Sequence, residues 1–226
     1  MLNTTNPTKK SALIVGIILA LVLPSLAISS SLVIKDIGLS NETQFYISRF
    51  TIWFSLFLLL LYCLKIEKRP FLLWGETEYR LPVLTKAVFK TMLKLFLAVI
   101  LTSLLISLFN VNAESAVLKK AIALFKNNYL LLFFTCLTAG ITEELFFRGY
   151  LLPRLALLLK NQKLAIVLSS ILFGLMHLGY GTLVNVVGPI VIGLIFAFQY
   201  EKYRNIKIVI ICHFLWDLLL LIAKTH

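Results

Sequence analysis

Six residues able to do acid–base or anion-binding chemistry fall inside or beside apolar runs in the last hundred residues. They are Glu143, Glu144 and Arg148 in GITEELFFRGY, His177 in LFGLMHLGYG, and His213 with Asp217 in ICHFLWDLL. Glu144 and Arg148, Phe173 and His177, and His213 and Asp217 are each four apart, so on helices each pair shares one face. Glu143 and Glu144 are adjacent and therefore about 100° apart around a helix axis, so they cannot share a face equally. Spacing makes Glu144 the partner of Arg148 and leaves Glu143 as the freer carboxylate. A carboxylate in a partly dehydrated pocket is a useful general base, and a neutral histidine beside it can share the water it activates. Glu143 and His177 fit those roles. His213 is the candidate donor to a tetrahedral oxyanion, with Asp217 one turn later to accept its N–H and orient it. This is hydrolysis without a covalent intermediate. Ser169 and Ser170 lack a GxSxG setting and read as small helix-packing residues.

The elements that hold these groups are set by composition. The chain has 226 residues, 60% of them hydrophobic and 14% charged, with a mean hydropathy of +0.94. No water-soluble domain of this size hides so much apolar surface. The apolar runs are rich in Leu, Ile, Val and Phe, do not alternate, and approach or exceed the length that crosses a hydrocarbon core of about 30 Å as helix. They lie near 11–34, 46–64, 90–109, 129–147, 164–178, 184–200 and 206–223. The first is too long for a signal-peptide core and reads as a retained helix. Segments 69–79, 115–125 and 151–160 read as interfacial helices or an eighth partial span. The expected class is all-α, a polytopic transmembrane bundle of about seven to eight membrane helices. Residues 1–127 supply N-terminal helices and 128–223 the polar-bearing core of one integrated membrane domain. An ionisable group at mid-bilayer costs roughly 2.5–3.5 kcal/mol, so the six must face inward together.

The formal charge of +12 does not indicate nucleic acid, because the 22 Lys and Arg separate apolar runs instead of forming one patch. With a cytoplasmic N-terminus, sixteen of those 22 fall on inner segments, Lys9, Arg148 and Arg154 among them; the other six, including Lys35, Lys119, Lys120 and Lys126, fall outside. Cys63, Cys136 and Cys212 lie singly in apolar runs and read as core filler. His226 is terminal and carries no signal.

Three motifs in order, Glu-Glu-x-x-x-Arg at 143–148, Phe-x-x-x-His at 173–177 and His-x-x-x-Asp at 213–217, with Gly149 and Tyr150 after the arginine, carry a resemblance. Over roughly 128–222 the chain resembles the type II CAAX prenyl protease and bacteriocin-processing family of intramembrane endopeptidases, also called the Abi or CPBP family. The resemblance implies a helical bundle whose Glu and His side chains line a cavity, with Glu143 and His177 similar to the family's water-activating pair. It leaves two readings of metal. Glu143, His177 and His213 would be the ligands of a zinc-type divalent ion with an open water position, but no HExxH helix is present. The expectation is no cofactor. Asp217 departs from the Asn of eukaryotic-type members; as a carboxylate it would repel an oxyanion unless protonated or turned to the His213 N–H.

The expected substrate is a membrane-delivered peptide or protein, with the lipid bilayer as surroundings and no nucleic acid. Short loops fit a bacterial plasma membrane. A non-catalytic scaffold or bacteriocin-immunity-type protein would use the same bundle to bind a partner, but has no need of the Glu143, His177 and His213 set. A proton-coupled transporter would carry an inverted repeat, which the sequence lacks.

Overall fold

The computed structural model describes residues 10–33, 38–109 and 112–225; Lys9, Ile34, Lys35 and His226 lie outside them. Among the described residues there are nine α-helices and no strand: α1 (Lys10–Val33), α2 (Asn41–Tyr62), α3 (Leu81–Leu108), α4 (Ala116–Phe125), α5 (Tyr129–Glu144), α6 (Leu152–Leu159), α7 (Gln162–Leu175), α8 (Val184–Tyr203) and α9 (Ile206–Thr225). A wide π turn, Leu145–Leu151, joins α5 to α6 in one 31-residue span, and another, Cys63–Glu67, ends α2. Among the described residues six helices are long and apolar enough to cross a membrane, and α1, 24 residues, reaches about 36 Å at 1.5 Å per residue. This is a multi-pass helical membrane protein.

The starts are written in the sequence. Ser40, Ser115, Asn128 and Asn161 each accept a backbone N–H from three residues on, at Thr43, Leu118, Leu131 and Leu164, which satisfies a donor that the helix cannot. Three helical segments stop at a basic residue in the left-handed region, Lys68, Lys160 and Arg204. All three lie at one end of the bundle, where Thr77 N–H donates to Arg204 O and Gln162 bonds Glu201. At the other end, Ser115 donates to Tyr180 O, and Phe125 packs edge-on against Phe45 at 5.4 Å.

Neighbouring helices pack in the pairs α1 on α2, α5 on α9, α6 on α7, α7 on α8 and α3 on α8. The α5–α9 contact is close because Gly140 has no side chain: a Cβ there would stand 2.9 Å from Phe214 N. One main buried cluster draws on both halves of the chain, from Leu13 and Leu59 to Phe196 and Trp216.

Two short segments differ from expectation. Residues 69–79 are irregular, not an interfacial helix. They fold back under the bundle because Arg154, fully buried, holds them: its Nη1 donates to Phe71 O at 3.0 Å and its Nη2 to Pro70 O at 3.2 Å. Residues 151–160 continue the α5 span as α6, with Leu151 to Leu155 buried. Pro153 cannot donate to the turn before it, and the π turn is where the span takes up that loss. The third segment, 115–125, does form a short helix.

Candidate active site

Glu144 ends the regular part of α5, about halfway along the 31-residue span, and its side chain is wholly buried. Oε1 accepts two hydrogen bonds, from Arg148 Nη1 at 2.9 Å and from His213 Nδ1 at 2.7 Å. Oε2 has no hydrogen-bond partner among the described residues. Arg148 is 1% exposed; its Nη2 donates to Gly193 O on α8 at 3.2 Å, and its guanidinium lies 4.4 Å over the Phe173 ring and 5.5 Å from that of Phe196. A Cβ on Gly193 would approach Arg148 Nη2 to 3.3 Å, so the glycine leaves room for the cation. The charges are thus taken from water in a pair that has further hydrogen bonds and two aromatic faces.

His213, on α9, is brought to this pair by the α5–α9 approach. Since a carboxylate only accepts, its bond to Glu144 puts a proton on Nδ1 and turns Nε2 toward the opening. There Nε2 is 3.5 Å from Asp217 Oδ2 and 3.9 Å from Glu143 Oε2. Asp217 therefore stands on the Nε2 side. Nδ1 is held by Glu144, which Arg148 fixes in reach. The side chains of Glu143 and Asp217 are 31% and 28% exposed, whereas those of Glu144 and Arg148 are sealed.

His177 caps the end of α7. Its Nδ1 lies 2.9 Å from Phe173 O, and a carbonyl only accepts, so Nδ1 carries the proton and Nε2 of the neutral ring keeps its lone pair. The ring stacks on Tyr180 at 5.9 Å and meets Phe173 edge-on at 5.0 Å; Phe173 also faces the His213 ring at 6.2 Å. Phe173 is the wall between the two imidazoles and the platform for Arg148. Five of the six candidate residues are linked by ion-pair or hydrogen-bond distances, and His177 joins them through Phe173.

Among the described residues no group of three or more His, Cys, Asp or Glu side chains converges as metal ligands would, so Glu143, His177 and His213 do not fit the zinc arrangement, and no step is routed through a metal. Sequence reasoning passed over Gly193 and Phe196, which complete the seat of Arg148, because neither carries reactive chemistry. It also passed over Tyr180, in the HLGYG run after His177.

Fold and site together define a multi-pass helical membrane protein with a carboxylate and imidazole cluster at mid-span. Residues 125–219, which contain all three motifs, match the family model of type II CAAX prenyl endopeptidase Rce1-like proteins, which supports the CAAX protease resemblance for this part of the chain. Residues 1–124 lie outside the match. No curated protein and no solved structure matches the chain.

Proposed function

We propose that the protein is an intramembrane endopeptidase that hydrolyses a peptide bond of a membrane-delivered peptide or protein with water activated by Glu143. The observation that carries this reading is the unlike treatment of two adjacent carboxylates. Glu144 is sealed and spends one oxygen on Arg148 and His213, whereas Glu143 is partly open beside His213 Nε2. A structural charge cluster has no need of the second arrangement.

In the proposed reaction a water donates one O–H to Glu143 and the other to the lone pair on His177 Nε2. Its oxygen attacks the carbonyl carbon while Glu143 takes the proton. The oxyanion that forms accepts a hydrogen bond from His213. Because Nδ1–H is committed to Glu144, Nε2 can donate only when His213 is the imidazolium, and Glu144, Asp217 and Glu143 surround that cation with carboxylates. Collapse breaks the C–N bond, and the proton on Glu143 passes to the leaving nitrogen, giving a carboxylic acid and an amine. Asp217 Oδ2, 3.5 Å from Nε2, lies on the side where the oxyanion forms, so in this reading the Nε2–H turns from Asp217 to the oxyanion as it develops.

The basic residues support a topology. Lys10, Lys65, Lys68, Lys160, Lys163, Lys202, Arg204 and Lys207 collect at the end that carries the α8–α9 turn, which fits a cytoplasmic N-terminus in a bacterial plasma membrane. Arg148 and Arg154 leave that count, since both are buried. The deciding experiment is mass spectrometry of peptides released from membranes expressing wild type, Glu143→Gln or His177→Ala at matched levels. Peptides lost in both variants support the hydrolase. Identical profiles from stably inserted variants refute it.

A further inference from the structure

At the end of the bundle away from α4, a cavity of about 750 Å³ opens between the 68–80 segment, the α6–α7 turn and the α8–α9 turn; Trp74, Thr77, Leu157, Lys160, Gln162 and Arg204 line it. It has no part in the hydrolytic site, which lies about half a span away along α5–α6. The spans end here, so the cavity sits at the depth of lipid headgroups. We propose that it binds the phosphate of an anionic phospholipid from the adjoining leaflet.

The cations are placed and unspent. Lys160 and Arg204 have φ of 52° and 48°, a region that favours glycine, yet both positions carry a long basic side chain. The Arg204 guanidinium lies 3.7 Å over the Trp74 ring, and its Nε donates to Glu201 O at 3.0 Å. Its terminal nitrogens have no acceptor, and no carboxylate is within 4 Å of it, among the described residues. The nearby acids are engaged. Glu76 accepts from Tyr200 O–H and from Ile206 N–H, and Glu201 accepts from Gln162. A stacked, half-buried guanidinium with a free fork matches phosphate oxygens, and Lys160 adds a second charge from across the cavity. Leu157 and Ala156 give the wall an apolar side for the glycerol and first methylenes, and the exposed Lys163, Lys202 and Lys207 draw anionic lipid to the rim.

Native mass spectrometry of the full chain in detergent, titrated with phosphatidylglycerol or phosphatidylcholine of the same acyl chains, tests this. Glycine suits both left-handed positions, so Lys160→Gly with Arg204→Gly removes the charges without backbone strain. Wild type is expected to bind phosphatidylglycerol about tenfold more tightly than phosphatidylcholine, and the double variant to lose that preference. Should the double variant fail to fold, Lys160→Gly alone, at an exposed position, is expected to reduce the preference about threefold. Equal binding of the two lipids by wild type, or a preference that survives the substitutions, overturns the proposal. Displacement of the lipid by inorganic phosphate, with phosphate alone raising the thermal midpoint, would assign the site to a free anion and overturn the lipid assignment.

Discussion

The same substitution at two adjacent positions should give opposite phenotypes. Glu143→Gln removes a charge whose side chain is 31% exposed and whose one ion-pair approach within 4 Å, among the described residues, is that of His213 at 3.9 Å. Its effect on stability should stay within about 0.5 kcal/mol, as at other open positions. Its effect on turnover should be a loss of about 10²–10⁴-fold, the usual contribution of a positioned general base, equivalent to about 3–5 kcal/mol of barrier. Glu144→Gln does the reverse first. It leaves Arg148, 1% exposed, without its only counter-ion within 4 Å among the described residues, and breaking a buried pair from one side costs about 3–5 kcal/mol. Replacing both partners, Glu144→Gln with Arg148→Met, should recover part of that loss, because no buried charge is left unpaired. Thermal unfolding in detergent beside peptide release from membranes reads both axes. Equal destabilisation by the two single variants, or turnover by Glu143→Gln near wild type, would refute the division between a held and a working carboxylate.

Other outcomes follow from the same geometry. Gly140→Val places side-chain atoms where even a Cβ would be 2.9 Å from Phe214 N, so it should push α9 off α5 and lower both the thermal midpoint and activity, with the conservative Gly140→Ala milder in both. Arg154→Met leaves Glu67 buried without its partner at 2.9 Å and frees 69–79; a loss of about 3–5 kcal/mol is expected, with proteolysis within 69–79 as the readout. His177→Ala should lower turnover by about 10²-fold or more at near-native stability, since the ring is half-buried and its one hydrogen bond is to Phe173 O.

The helical membrane bundle was legible because each long helix is a run of apolar residues that must satisfy its own backbone in lipid, though six and not seven to eight helices qualify as spans among the described residues. The Glu144–Arg148 pair was legible because four-residue spacing fixes a shared face. The same rule brought His213 and Asp217 together, 3.5 Å apart on α9. Spacing places both on one face of α9, but it is silent about which ring nitrogen turns to which neighbour, and that was settled by Glu144 from another helix. Glu67 and Arg154 were hidden for a related reason. Each sits near the end of an apolar run, where a charge ordinarily marks the water interface, and Arg154 was counted so. Their burial depends on 63–80 folding back beneath the bundle, with Arg154 over the Tyr150 ring at 3.6 Å and Tyr150 O–H donating to Glu67 at 2.8 Å. The contacts of Tyr150 and Arg154 with Glu67 join segments more than eighty residues apart.

The π turn links the two arginines of the span and explains why both can be buried. In a regular helix, Arg148 is about 40° from the direction of Glu144 and Arg154 about 80° from it on the other side, so both would lean to the α9 side. Widening the turn across 145–151 shifts the phase of everything after it by about one residue, roughly 100°. Arg154 is thereby carried around to the far side, where Glu67, Cys63 and the 69–79 segment receive it, while Arg148 stays with Glu144. One irregular segment thus gives one helix two inward faces, a reactive one toward α9 and a structural one toward α2. A single-residue deletion within 145–147 should separate them: it would restore a regular helix in which Arg154, now nine residues after Glu144, keeps its far-side direction and its hold on 69–79, whereas Arg148 moves from four to three residues after Glu144 and off its seat, so peptide release should fall while 69–79 stays protected from proteolysis.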